Sequence, residues 1–235
     1  MLSIRNLDLF YGDAQALADV SLEIPAGELV ALIGANGAGK SSLIRSIAGM
    51  ETPRAGTIRF RDTELTGRDS HFTANLGIGQ VAEGRQIFPS LNVEENLEVG
   101  ALLPRARKRR KATMDEVFAL FPRLHERRRQ IAGTMSGGEQ QMLAIGRCLM
   151  GLPELIMFDE PSLGLAPRIV MELFKTIRFL NQEKGITVLL VEQNVGASLK
   201  LARQAYVMEN GAIVTQGRSE DLLNDDRVRR AYLGL

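Results

Sequence analysis

A chain of 235 residues can bury a sizeable core, as one domain or as one domain carrying an inserted lobe. Its 29 basic and 28 acidic side chains leave a formal charge of +1, which excludes a global field that would drive it onto nucleic acid or an anionic membrane. The single cysteine, Cys148, excludes an internal disulfide framework and fits a reducing compartment; in the apolar run AIGRCLM it reads as a small buried core residue.

The N-terminal stretch MLSIRNLDLFYG alternates apolar and polar residues like a strand and lacks the apolar centre of a signal peptide. No run reaches the roughly 18 to 20 apolar residues of a membrane span, so the chain is expected to be soluble unless a partner holds it at a membrane. Short alternating segments continue to about residue 30, broken by Gly12 and Pro25-Ala26-Gly27, and predict antiparallel strands. ELVALIG, from Glu28 to Gly34, is a continuous apolar run of the kind buried on both faces, and TIRFR at 57–61 alternates again. From about residue 92 to 150 the pattern is helical. Asn92 and Glu95 form a capping box ahead of ENLEVGALL, and MDEVFALF and QQMLAIGRCLM keep helical spacing. ELIMF after Pro153 is another buried strand, and Pro167 suits the first turn of a helix ending near Lys184-Gly185. ITVLLV is a third buried strand, and AYVMENGAIVTQG reads as a hairpin turned at Asn210-Gly211. The tail, SEDLLNDDRVRRAYLGL, reads as helical packing.

Buried strands alternating with helices predict an α/β fold with a mostly parallel sheet, an antiparallel N-terminal β subdomain and an inserted α-helical subdomain. The expected divisions are a core at 1–85 and 153–215, a helical insert at 86–152 and a tail at 216–235. The basic runs RARKRRK, 105–111, and ERRR, 126–129, read as solvated helix faces; neither contains an aromatic residue for stacking on single strands.

Chemistry concentrates at three places. GANGAGKS comprises Gly34, Ala35, Asn36, Gly37, Ala38, Gly39, Lys40 and Ser41, and matches the phosphate-binding pattern between a buried strand and a helix. There the glycines let backbone N–H groups face phosphate oxygens at the positive end of the helix. Lys40 is expected to reach the β- and γ-phosphates, Ser41 to hold Mg²⁺ and Ser42 to contact the α-phosphate. LIMFDE ends a buried strand in two carboxylates. Asp159 is expected to bind Mg²⁺ and Glu160 to act as general base on the attacking water. The N-K-x-D element that reads guanine is absent, and Tyr11 is placed to stack on an adenine. The third place is MSGGEQQM. Ser136 and Glu139 make a capping box, yet Gly137 and Gly138 each cost about 1 kcal/mol against alanine in a helix. Either the stretch is a loose turn or something comes very close to its backbone.

The order of phosphate loop, helical insert, SGGEQQ, LIMFDE and a later strand ending in a polar residue resembles the ATP-binding subunit of ABC transporters, over essentially the whole chain. SGGEQQ is the most specific element. The resemblance implies a P-loop NTPase core in which Ser136, Gly137, Gly138 and Glu139 complete the ATP site of a second, head-to-tail subunit. The glycines then let the helix start approach a γ-phosphate. It further implies that the loop after the strand LGIGQV meets the transmembrane partner. Most of the family carries glutamine in this loop; Gln80 falls within the predicted strand, so Glu83 takes the position, and Glu83 to Pro89 is the expected communication segment. Gln193, in VEQN, replaces the family's switch histidine. It is expected to position the γ-phosphate only, because an amide gains no charge near neutral pH.

With Ala166 in PSLGLAP, VAEGRQIFPSLNVEENL and the terminal VRRAYLGL, the chain is similar to the second ATPase of branched-chain amino acid importers (the LivF type); urea and amide importers look similar. The resemblance implies an ATPase using ATP with Mg²⁺, peripheral at the cytoplasmic face of the inner membrane. It would pair with a second ATPase subunit, a copy or a sibling, beneath two transmembrane permease subunits, with a periplasmic binding protein as an indirect partner and no nucleic acid. The competing reading is a soluble ABC ATPase serving an assembly scaffold. A DNA-repair ATPase would need a long coiled-coil insertion, and the roughly 95 residues between Ser41 and Ser136 carry no sustained heptads.

Overall fold

The first strand shows how the polar residues set the register. In the computed structural model, which describes residues 1–230, β1 (Leu2–Tyr11) buries Leu2 and Ile4 and then, out of step, Leu7 and Leu9. A strict period of two would turn the second pair to solvent. The change of phase occurs at Asn6, whose φ is 48°, and the antiparallel partner β2 (Ala14–Ile24) answers it with Asp19 at φ 51°. The Asn6 amide donates to Asp19 Oδ1 at 2.7 Å, so the two irregular positions hold each other and both strands keep their apolar sets inward.

The chain continues through β3 (Leu29–Ile33), α1 (Lys40–Ile47), β4 (Ala55–Phe60), β5 (Thr63–Glu64), α2 (Ser70–Leu76), β6 (Ile78–Val81), α3 (Val93–Gly100) and α4 (Pro104–Arg107). It goes on with α5 (Arg110–Leu120), α6 (Pro122–Glu126), α7 (Gly137–Met150), β7 (Leu155–Asp159) and α8 (Pro167–Gln182). Next come β8 (Thr187–Glu192), α9 (Val195–Leu201), β9 (Gln204–Glu209), β10 (Ala212–Arg218), α10 (Ser219–Asn224) and α11 (Asp226–Val228). It divides into two compact units, Met1–Thr73 with Ile177 onward, and Ala74–Thr176.

The first unit holds an antiparallel sheet in the order β2-β1-β4-β5. It also holds a second set of strands in which β3 runs parallel to β8 on one side and to β9 on the other, with β10 added antiparallel. Every residue of β3 and of β8 is buried, which is why β3 reads as an unbroken apolar run and β8 as one bounded by Thr187 and Glu192. The β9–β10 hairpin turns at Asn210 and Gly211, both left-handed at φ 47° and 81°, as a two-residue turn between twisted strands requires. Ala31, Ile33, Ala205 and Val207 are covered by Val195, Leu199, Leu222 and Val228, so the tail packs as far as α11. The last residues of VRRAYLGL, 231–235, lie outside the described residues.

In the second unit β6 and β7 pair in parallel, and helices α3 to α7 complete it; the expected insert, 86–152, lies within this unit. Asn92 caps α3 in a full capping box with Glu95. Helices α3 and α7 approach closely. A side chain at Gly100 would run into the backbone oxygen of Arg147, and one at Gly146 would stand 2.9 Å from Leu97. Two sequence expectations change here. Arg105, read as part of a solvated face, is three-quarters buried. It donates to the backbone oxygen of Leu152, pairs with Glu154 at 3.7 Å and fills the space beside Gly77. Cys148, read as buried core, keeps part of its surface exposed, but its thiol packs against Gly79, where burial pushes it up to about 12. Apolar periodicity alone cannot separate the edge of a buried stripe from its centre.

Candidate functional site

In the first unit β3 ends at Ile33 and the chain turns through Gly34 to Gly39 into α1. Two glycines make the turn possible. A side chain at Gly34 would collide with the backbone oxygen of Met208, and one at Gly39, whose φ is 104°, would stand 2.8 Å from that of Ala16. Gly39 caps α1 without any side-chain hydrogen bond, and no acidic residue occupies the first turn, so the positive helix end is left for an anion. Lys40 is buried, and its ammonium donates to the backbone oxygens of Gly34 at 2.9 Å and Ala35 at 3.0 Å. Beside the loop, the hydroxyl of Tyr11 donates to Ser42 Oγ at 3.4 Å, and the amide of Gln193 donates to Asn36 Oδ1. This unit therefore gathers Tyr11, the loop residues Gly34 to Ser42, and Gln193. Sequence reasoning overlooked Glu192. It is buried at the end of β8 and accepts the N–H groups of Gln193 at 3.2 Å and Asn194 at 3.5 Å, which fixes the turn that presents Gln193.

In the second unit all five residues of β7 are buried, and it ends in Asp159 and Glu160, themselves buried. Glu160 adopts a left-handed φ of 45°, a conformation costing a non-glycine residue on the order of 1–3 kcal/mol and one that collects at functional sites. Val81 pairs with Phe158, so the loop carrying Glu83 and the two carboxylates leave the same end of β6 and β7. Glu83 is exposed, and its backbone oxygen accepts from the Gln86 amide at 3.4 Å. Gln80 lies inside β6, opposite Met157.

The opening turn of α7 is the third place. Ser136 and Glu139 make a complete capping box. The Ser136 hydroxyl donates to Glu139 Oε2 at 2.7 Å, the Ser136 N–H donates to the same oxygen at 3.0 Å, and Arg127 pairs with Oε1 at 3.1 Å. The hydroxyl contact is the main reason the Glu139 carboxyl sits below its ordinary value; partial burial opposes it, while the Ser136 N–H and the charges of Arg127 and Arg123 add to it. The two glycines have neighbours in their own chain. A side chain at Gly137 would stand 2.8 Å from the guanidinium of Arg85, and one at Gly138 would stand 2.9 Å from Ile169. Ser136, Gly138, Glu139, Arg123, Arg168 and Ile169 line part of a cavity of about 410 Å³. Arg85 and Arg127 escaped sequence reasoning. The first was hidden beside Glu83, and the second was counted into a solvated basic run.

Among the described residues no three His, Cys, Asp or Glu side chains gather as a self-sufficient metal site. In the first unit Ser41 carries a hydroxyl, and in the second Asp159 carries a carboxylate; each by itself is a hard oxygen donor of the kind Mg²⁺ accepts. No helix among the described residues is long and apolar enough to cross a membrane.

A model of the ABC transporter family matches residues 17–163. Over 234 residues, all of both chains, the sequence is 51% identical to the high-affinity branched-chain amino acid transport ATP-binding protein BraG of Pseudomonas aeruginosa. It is 33% identical to the probable branched-chain amino acid transport ATP-binding protein LivF of Archaeoglobus fulgidus, over 100% of this chain and 99% of the relative. A crystal structure of a nucleotide-free ATP-binding cassette from an ABC transporter superposes with a TM-score of 0.88 at 28% identity, over 100% of this chain and 99% of the other. The chain belongs to the ABC transporter family, as an ATP-hydrolysing subunit that works with the membrane components of a transporter.

Proposed function

We propose that the chain energises the import of branched-chain amino acids, working at the cytoplasmic face of a cell membrane beneath two permease subunits that a periplasmic binding protein loads. The observation that carries this reading is the 51% identity to BraG along the full length of both chains. The functional divisions proposed are an ATP-binding core at 1–85 and 153–215, a helical signature subdomain at 86–152 and a tail at 216–235.

ATP binding begins in the first unit. Lys40 exchanges the carbonyls of Gly34 and Ala35 for β- and γ-phosphate oxygens, and the first-turn N–H groups of α1 hold the remainder. Tyr11 stacks on the adenine, and Ser42 contacts the α-phosphate. Ser41 and Asp159 are the residues that would hold Mg²⁺, whose charge, when bound, would offset that of the phosphate oxygens. A second ATPase subunit, a copy or a sibling, then presents its Ser136 corner, where the hydroxyl leaves Glu139 for a γ-phosphate oxygen. Glu160 takes the proton of the attacking water, and Gln193 orients the phosphate without changing charge. Glu83 and its loop report the event to the permease.

Co-purification from detergent extracts tests the assembly: the chain should emerge with multispanning membrane subunits, and a branched-chain amino acid with its binding protein should stimulate ATP turnover. A complex free of membrane proteins would refute the reading. Glu160→Gln should lower turnover by roughly 10²- to 10⁴-fold, and near-normal hydrolysis by that variant would remove Glu160 from the base role.

A further inference from the structure

The loop from Glu83 to Pro89 runs beside α7 and is held to it at two heights. At the helix start, Arg85 Nη1 donates to Gln140 Oε1 at 3.2 Å, and the guanidinium fills the space beside Gly137 where a side chain would project, 2.8 Å from Nη2. About two turns further on, Arg147 Nη2 donates to the Gln86 backbone oxygen at 2.5 Å, and its guanidinium lies 5.2 Å from the centre of the Phe88 ring. At these anchors and just before them, Gln86, Arg85 and Gly84 are all left-handed, at φ 46°, 68° and 72°. Two of the three are not glycine, and such residues stay in that region only where their neighbours hold them.

We propose that Arg85 is a positioning residue for ATP hydrolysis: lodged on bare Gly137, it ties the loop Glu83–Pro89 to the first turn of α7, so that displacement of the loop is delivered to Ser136. The proposal rests on the reading above, in which this loop meets the membrane partner and Ser136 meets the triphosphate of a second subunit. Ser136 caps α7 and immediately precedes Gly137, so a group seated on Gly137 bears directly on the cap. Arginine suits the task because its planar fork can rest on backbone while donating sideways to Gln140. Without Arg85 the contact that still ties the loop to α7 is the Arg147 anchor, too far along the helix to set the cap; the ties of Phe88 to Asn96 and of the Pro89 oxygen to the Gly133 N–H, 3.0 Å, lie outside α7.

Gly137 is required for the same reason. A methyl at 137 displaces the guanidinium, and because the displaced atoms are the tip of a flexible side chain, the fold yields while the tie is lost. The two residues therefore act by one route, and their substitutions should not add.

The test uses the purified full chain, with kcat and KM for ATP measured at a temperature well below unfolding. Arg85→Ala and Gly137→Ala should each lower kcat about tenfold with KM changed less than about twofold, because ATP is first held by the phosphate loop. The double variant should stay within about twofold of either single one, and Arg85→Lys should recover part of the loss. Multiplying effects in the double variant would overturn the proposal, as would a lowered melting temperature with kcat unchanged. If Arg85→Ala does not fold, Gly137→Ala and Gln140→Ala carry the same expectation. Ser136→Arg in a Glu160→Gln background separates the two levels by light scattering. ATP-induced dimers that persist would sink the underlying reading; dimers lost there, with multiplying effects at 85 and 137, would sink only the Arg85 tie.

Discussion

The glycines of the phosphate loop and those opening α7 look alike in the sequence, and each group sits at a helix start. Their neighbours differ in kind. Gly34 and Gly39 face the backbone oxygens of Met208 and Ala16, which belong to strand ends and cannot withdraw. Gly137 faces the tip of Arg85, a side chain that can turn aside, and Gly138 faces a methyl of Ile169, side chain rather than backbone. Gly39 needs its left-handed φ of 104°, whereas Gly137 and Gly138 have none. The lesson is that the first pair is demanded by the fold, and the second pair leaves room that function uses.

The contrast breaks most sharply at the phosphate loop. Gly34→Ala and Gly39→Ala should each lower stability by about 2–4 kcal/mol, from overpacking against backbone and, at Gly39, from left-handed strain. A denaturant midpoint that falls with an unchanged slope would register it; a loss below about 1 kcal/mol would place these glycines with the second pair.

An intermediate effect belongs to the capping box. Glu139→Gln keeps the hydrogen-bonding shape and loses the charge beside the helix start and Arg127, which should cost about 0.5–1 kcal/mol at pH 7. The sign of its pH dependence follows from the direction of the shift. A carboxyl held below its ordinary value contributes stability above that value and loses it as pH falls through the folded-state value. The gap between wild type and variant should therefore be full at neutral pH and close in acid; thermal melts from pH 7 down to pH 3 would show it, and a gap that widened in acid would contradict it.

The smallest stability effect is expected at Gly137→Ala. Alanine is the better helix former by about 1 kcal/mol, which offsets displacement of the Arg85 tip, so the net change should lie within about 0.5 kcal/mol of zero. Chemical denaturation of this variant beside Gly39→Ala measures the comparison directly, and equal losses at the two positions would erase it.

Much of this was legible beforehand, for reasons that particular residues make plain. β3, β7 and β8 stood out because every position in them is buried, so polar residues occur in them only at the strand ends, as Asp159, Thr187 and Glu192. Asn210-Gly211 and the two capping boxes were readable because their partners lie within a few residues. Leu7 and Leu9 keep their place inside through a change of phase held by the Asn6–Asp19 contact and by Ser21 and Asp8 beside it, contacts that join two strands and leave no local mark. Arg105 shows the same limit. Surrounded in sequence by Lys and Arg, it is distinguished from them only by Leu152, Glu154 and Gly77.

By itself the sequence determined the α/β class, the phosphate loop, the paired acids at 159 and 160 and the capped start of α7, because each depends on periodicity or on hydrogen bonds that close within one turn or one strand end. Tertiary structure alone decided what the bare glycines are for. Whether a missing side chain makes room for a carbonyl, an arginine tip or a ligand depends on atoms brought from roughly 20 to 170 residues away, and no local propensity encodes that distance.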